Sequence, residues 1–285
     1  MKNKQQLSYT EYENRIDSLR KSEKISAESI GKSIMGRHIQ KLEIGLGEKK
    51  ILLLGGVCGD SESADTLLSF AEEFAASCSE RKRMCGTNPS YVSLYRKLVI
   101  YPLLNPDALE YRRIGLSEDN PIRDRLLAMN LFSEDFSEWK ANGRGVSLER
   151  NSPIGFEKRK AYENAREIFN GSPCQFSGNT PESEPELCAL INDILKYEKI
   201  KALVQILKGK DGIYTPVTSR TEGKDPTLKS MLRICGMRRA FDTEEDNGIV
   251  DLLSEKYGVC AYKISSERCD LKNLRDLLYT LPVIL

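Results

Sequence analysis

The side chains in this 285-residue chain that could do chemistry are unevenly supplied, and histidine is the scarce one. His38 stands alone among 43 basic and 42 acidic residues. A hydrolytic zinc site takes three protein ligands, with histidine prominent, and leaves the fourth place to water. A site of two histidines and one glutamate is therefore excluded by counting. His38 precedes the first long strand and is expected to be a surface or partly buried side chain. Eight cysteines are present: Cys58, Cys78, Cys85, Cys174, Cys188, Cys235, Cys260 and Cys269. None lies in a C-x-x-C pair, which argues against zinc-ribbon and thioredoxin chemistry. Most are expected to be small buried thiols. Gly55-Gly56-Val57-Cys58-Gly59 is no phosphate loop, because no Gly-Lys-Ser/Thr follows to grip phosphate and Mg²⁺. Arg144 and Arg150 are the candidate anion binders, since a guanidinium offers a planar fork that holds a carboxylate by two hydrogen bonds.

Composition bounds the surroundings of these residues. Charges of the two signs nearly cancel, leaving a net of +1. That balance gives no electrostatic case for nucleic acid or for an acidic membrane surface as partner. The basic run Arg81-Lys82-Arg83 is expected to be a solvated loop. No apolar core follows the charged start Met-Lys-Asn-Lys, and no apolar run approaches the length of a membrane span. A cytoplasmic protein with reduced thiols is the expectation.

Short apolar runs alternate with longer amphipathic ones, the pattern of an α/β layered domain. Strands are expected at Lys41–Gly45, Ile51–Leu54, Leu98–Tyr101, Ala202–Leu207 and Val259–Ile264. Continuous apolar runs ended by glycine or proline suit strands buried on both faces. Tyr9–Leu19 reads as helix. Ser183 with Glu186 suits a capping box ahead of Leu187, Leu190, Ile191, Ile194 and Leu195. Asp225-Pro226 starts another helix and Gly236 stops it. Asp270 caps a final helix striped by Leu271, Leu274, Leu277 and Leu278. Pro106–Gly145 is expected to hold loops and a short helix.

In order, the chain reads Gly36-Arg37, Cys58-Gly59-Asp60-Ser61, Asn105-Pro106-Asp107, Asn142-Gly143-Arg144-Gly145, Glu149-Arg150-Asn151, Gly178-Asn179-Thr180-Pro181-Glu182-Ser183-Glu184-Pro185-Glu186, Gly212-Ile213-Tyr214 and Lys263-Ile264-Ser265. From Tyr9 to the C-terminal helix this series resembles the zinc carboxypeptidase A-like family. It looks closest to short bacterial members that cut γ-D-glutamyl–diamino acid bonds in cell-wall peptides. The resemblance implies one domain over residues 1–285: a twisted mixed sheet of about eight strands, helices on both faces, zinc-exopeptidase-like. Its cleft is expected at the carboxyl ends of the strands.

The departures from the family pattern fall on its chemistry. The resemblance puts Cys58 and Ser61 where the family has a His and a Glu that bind zinc. Lys208 or Leu207 takes the place of the third ligand, and Ser265 that of the general-base Glu. Arg150 is kept, for gripping a substrate carboxylate, but Glu149 replaces a family Asn beside it. Asn142, Arg144 and Tyr214 are expected in the same cleft, with Cys58, Ser61, Lys208, Arg150 and Ser265 converging there. Zinc lowers the pKa of bound water from about 15.7 to about 7 and polarises the carbonyl. A general base adds roughly 10²–10⁴-fold.

Three readings follow. The first is a degenerate, non-catalytic relative, without zinc, that keeps a cleft for a peptide or peptidoglycan-derived peptide. The second is an active zinc peptidase with unusual ligands, Cys58 among them. The third is a metal-free hydrolase using Cys58 with Lys208 as base. A Cys58 thiolate held by the Lys208 ammonium is one device that could replace the metal. An internal pair of Arg150 with Glu149 or Glu186 is the alternative to a free Arg150.

Overall fold

A computed structural model describes residues 7–216, 225–240, 248–267 and 272–285. Among these residues seven strands form one mixed sheet, in the order β1-β2-β4-β3-β5-β7-β6. The strands are β1 (Ile25–Lys32), β2 (His38–Ile44), β3 (Lys49–Leu54), β4 (Arg96–Tyr101), β5 (Ile200–Lys208), β6 (Gly212–Tyr214) and β7 (Ala261–Ser266). The central four, β4, β3, β5 and β7, run parallel. β1 and β2 add antiparallel at one side, and β6 pairs antiparallel with β7 at the other edge. Seven strands stand here where about eight were expected, in a single α/β domain.

Helices cover both faces. On one side lie α1 (Tyr9–Leu19), α2 (Ser61–Glu80), α8 (Pro226–Cys235) and α10 (Lys272–Ile284). On the other lie α7 (Pro185–Ile194) and α9 (Ile249–Glu255). Between α2 and α7 in the chain come α3 (Pro89–Tyr95), α4 (Pro106–Ile114), α5 (Arg123–Met129) and α6 (Phe156–Asn164). Side chains alternate across the strands. Ile51, Leu53, Ala202, Val204 and Ile206 enter the α2 side of the core, whereas Leu52, Leu54 and Leu203 enter the α7 side. None of the described helices is long and apolar enough to cross a membrane.

Local signals set several ends. Asp225 Oδ1 accepts the N–H groups of Thr227 and Leu228, and Gly236 closes α8 at φ 66°. Asp270, Leu271 and Cys269 lie outside the described residues. The expected capping box of α7 is absent: Glu184 is the N-cap, and Ser183 Oγ donates to Glu184 Oε1 at 2.9 Å instead. The segment after β4 holds two short helices, α4 and α5, rather than one. A satellite cluster of Tyr111, Phe136 and Trp139 packs there, with Trp139 Nε1 donating to Ala141 O at 2.7 Å. That bond fixes the loop carrying Lys140, Asn142 and Arg144. Arg81, Lys82 and Arg83 are exposed, as a solvated run should be. Buried thiols are the minority among the described cysteines: Cys78 and Cys235 are buried, whereas Cys85 and Cys174 are exposed.

Candidate functional site

A cavity of roughly 820 Å³ opens at the carboxyl ends of β3, β5 and β7, where α/β sheets place their ligands. Cys58 reaches it from the loop after β3, Leu207 from the end of β5 and Ser265 from β7. Arg150 and Tyr214 complete the group of expected residues found there. Ser61, Lys208, Asn142 and Arg144 do not line it.

Cys58 is placed by a turn that only glycine allows. Gly59 has φ 65°, and a Cβ there would sit 2.4 Å from the Ala108 side chain on α4. Arg112 Nη1 holds the Cys58 carbonyl at 3.3 Å. Burial, then the charges of Glu149 and Asp60, push the Cys58 thiol up to about 12. It is therefore a neutral thiol near pH 7, not a thiolate.

Lys208 cannot supply the counter-charge that was expected. Strand alternation puts Leu207 on the α7 side of the sheet and Lys208 on the α2 side. The Lys208 ammonium is bonded to the Glu62 carboxylate on α2. Leu207 is thus the one of the two that lines the cavity, with Lys208 on the opposite face of the sheet. Ser61 opens α2, and its Oγ donates to Glu62 Oε2 at 3.1 Å. The expected convergence holds for Cys58, Arg150 and Ser265 and fails for Ser61 and Lys208.

Asn142 is saturated by the protein. Its Nδ2 donates to Glu184 at 2.7 Å and Glu186 at 3.1 Å, while its Oδ1 accepts the N–H groups of Arg144 and Val146. It builds the loop rather than contacting a ligand. Arg144 is half-exposed, 3.7 Å from Glu184. Glu186 also accepts the Ile34 N–H at 2.9 Å, and burial raises its carboxyl to about 7.

Neither internal pair foreseen for Arg150 forms. Glu149 accepts from Gln205 Nε2 and from the Ile249 N–H at the start of α9, so both its oxygens are occupied. Glu186 is committed as above. The Arg150 guanidinium lies 5.8 Å from the Tyr162 ring centroid and has no carboxylate ion pair among the described residues. Tyr214 gives its hydroxyl to Asp251, and Lys263 sits over the Tyr214 ring at 5.0 Å.

Several cavity residues escaped the sequence reading. Lys140, Lys210, Arg238, Arg239 and Lys263 line it with Arg150, against Glu149 and Asp211 as the acids among the described residues. Arg238 and Arg239 are held there by backbone bonds. Ile213 N donates to Arg238 O at 3.0 Å, and Ala240 N donates to Ile213 O at 2.8 Å. A local excess of lysine and arginine on separate elements was the available signal, but the near-neutral total conceals it.

The described residues at the cavity do not offer zinc a ligand set of the kind it takes. A structural or catalytic zinc needs deprotonated sulfur, neutral imidazole or carboxylate donors. The places that the resemblance assigns to the family's ligands hold one thiol, a leucine and a serine turned to Glu62, with no imidazole and no carboxylate among them. Among the described residues, no cluster of three or more His, Cys, Asp or Glu side chains could hold a metal ion. His38 stands at the start of β2, with Nδ1 3.0 Å from Ser29 Oγ.

Known proteins resemble this chain in sequence and in fold. The sequence is 26% identical over 162 residues to gamma-D-glutamyl-L-diamino acid endopeptidase 1 of Lysinibacillus sphaericus, covering 56% of this chain and 40% of that one. It is 28% identical over 191 residues to the uncharacterized protein YqgT of Bacillus subtilis (strain 168), covering 66% and 50%. The chain thus spans half or less of the curated relatives it matches. Its fold superposes on carboxypeptidase A from Helicoverpa armigera with a TM-score of 0.70 at 15% identity, covering 98% of this chain and 73% of that one. Murein-tripeptide amidase MpaA from Escherichia coli O157 matches with a TM-score of 0.53 at 14% identity, covering 91% of each. A family model described as zinc carboxypeptidase matches residues 12–261, so the chain belongs to the zinc carboxypeptidase family.

Proposed function

We propose that this chain is a non-catalytic member of its family, a single domain over residues 1–285 that binds a peptide ending in a free carboxylate. The peptide class is that of cell-wall fragments, by analogy with the relatives whose names specify γ-D-glutamyl and murein substrates. The observation that carries this is Arg150, presented in a large cavity with no carboxylate partner among the described residues. The guanidinium is partly exposed to the cavity, and a ligand carboxylate there can take two hydrogen bonds from it.

Hydrolysis lacks support at each step. Cys58 is protonated near neutral pH and Lys208 is turned away from it. Ser265 offers no carboxylate to activate water. Titration calorimetry with a γ-D-glutamyl–diaminopimelate peptide tests the reading. The peptide is expected to bind, to stay intact by mass spectrometry, and to lose at least about tenfold in affinity in Arg150→Ala. Cleavage that disappears in Cys58→Ala would establish an enzyme instead.

A further inference from the structure

The cavity carries far more positive charge than one carboxylate needs. Six basic side chains line it, Lys140, Arg150, Lys210, Arg238, Arg239 and Lys263, in a chain whose net charge is only +1. They come from two sides. Lys140 and Arg150 stand on the loops that precede α6, whereas Lys210, Arg238, Arg239 and Lys263 stand around the β5–β6–β7 edge. The two acids in the lining are engaged by the protein. Glu149 serves Gln205 and Ile249, and Asp211 Oδ1 accepts from Ser266 Oγ at 3.0 Å and the Glu267 N–H at 2.9 Å. Lys140, Arg150, Lys210 and Arg238 have no carboxylate ion pair among the described residues. Arg159, almost fully buried behind the wall, is lowered to about 10 by burial first and by Arg150 second, with Glu163, Asp251 and Glu149 acting in the opposite sense.

Gathering like charges in a partly enclosed space costs Coulomb energy, and a multivalent anion is what relieves it. We infer that the cavity takes a small ligand carrying at least two anionic groups, one at Arg150 and a second at the Lys210–Arg238 wall. This rests on the proposed binding role and specifies the ligand's charge. About 820 Å³ is ample for such a molecule. Phosphate groups and carboxylates share the required chemistry. Asp242, Glu244, Glu245 and Asp246 follow this wall in sequence, outside the described residues, so the test must read the field of the whole chain.

Calorimetry on the full chain compares N-acetyl-Ala-Ala, tri-γ-glutamate, inorganic phosphate and tripolyphosphate at two salt concentrations. Affinity is expected to rise roughly tenfold per added charge within a series, and the rise to shrink at high salt. Lys210→Gln with Arg238→Gln should cost tri-γ-glutamate and tripolyphosphate at least about tenfold and leave N-acetyl-Ala-Ala within about twofold, while Arg150→Ala weakens all three. Binding of tripolyphosphate tighter than that of tri-γ-glutamate by more than the roughly tenfold its one extra charge gives identifies a phosphorylated ligand, and the reverse a polycarboxylate; both support the inference. A flat charge series with N-acetyl-Ala-Ala still dependent on Arg150 overturns the inference and leaves the peptide-binding role standing. Absence of binding by every probe overturns both.

Discussion

Glu149 Oε2 accepts the Ile249 N–H at 3.0 Å, across 100 residues of sequence. The carboxylate sits at the amino end of α9, where the helix dipole favours negative charge, and its other oxygen takes the Gln205 amide. The acid next to Arg150 is therefore a strut between the cleft loop, the central strand and a helix.

Removing that strut should weaken the fold rather than free Arg150. Glu149→Ala leaves the Ile249 N–H and the Gln205 amide without their acceptor, a loss of about 1–3 kcal/mol. Urea denaturation reads it as a lower midpoint with an unchanged slope. A midpoint equal to the parent's would show that the strut bears no weight.

Cys58 should be sluggish towards alkylation. Only the thiolate reacts, and a thiol raised to about 12 holds very little of it at pH 8. Exposed Cys174 should take iodoacetamide well before Cys58 in a mass-spectrometric time course. Preferential labelling of Cys58 at pH 8 would contradict the geometry.

Glu186 ties stability to pH. Its folded value of about 7 lies above the ordinary 4.5, so the native state holds a proton that the unfolded state releases. Its contribution is complete below about pH 4.5 and disappears as pH rises through about 7, on the order of 3 kcal/mol. Urea midpoints measured from pH 4.5 to 8 should fall less steeply in Glu186→Gln than in the parent. Parallel pH profiles would remove the assignment.

Chelation should be without consequence. A chain that takes no zinc gains nothing from it by mass action. Dialysis against EDTA is expected to leave the Tm unchanged, and protein purified without chelator should hold far less than one zinc per chain. Stoichiometric zinc that falls in Cys58→Ala would restore the second sequence reading.

The sequence exposed the centre of the fold better than its rim. β3, β4, β5 and β7 were legible because strands covered on both faces must be apolar throughout. β1 has only Ile25 fully buried and reads as polar chain, and the three residues of β6 are too few to show a period. Leu207 and Lys208 could not be told apart because alternation needs an anchored strand end, and β5 runs one residue further than its apolar stretch. Arg150 and Cys58 were found from motifs. The uses of Glu149, Asn142 and Glu62 were hidden because their partners lie far along the chain.

The backbone hydrogen bonds that fasten residues 238–240 to Ile213 involve no side chain. Whatever stands at positions 238 and 239, the rim keeps its course. Descendants of this chain can therefore swap the electrical sign of that rim by point changes, while the outline into which a ligand must fit is inherited intact.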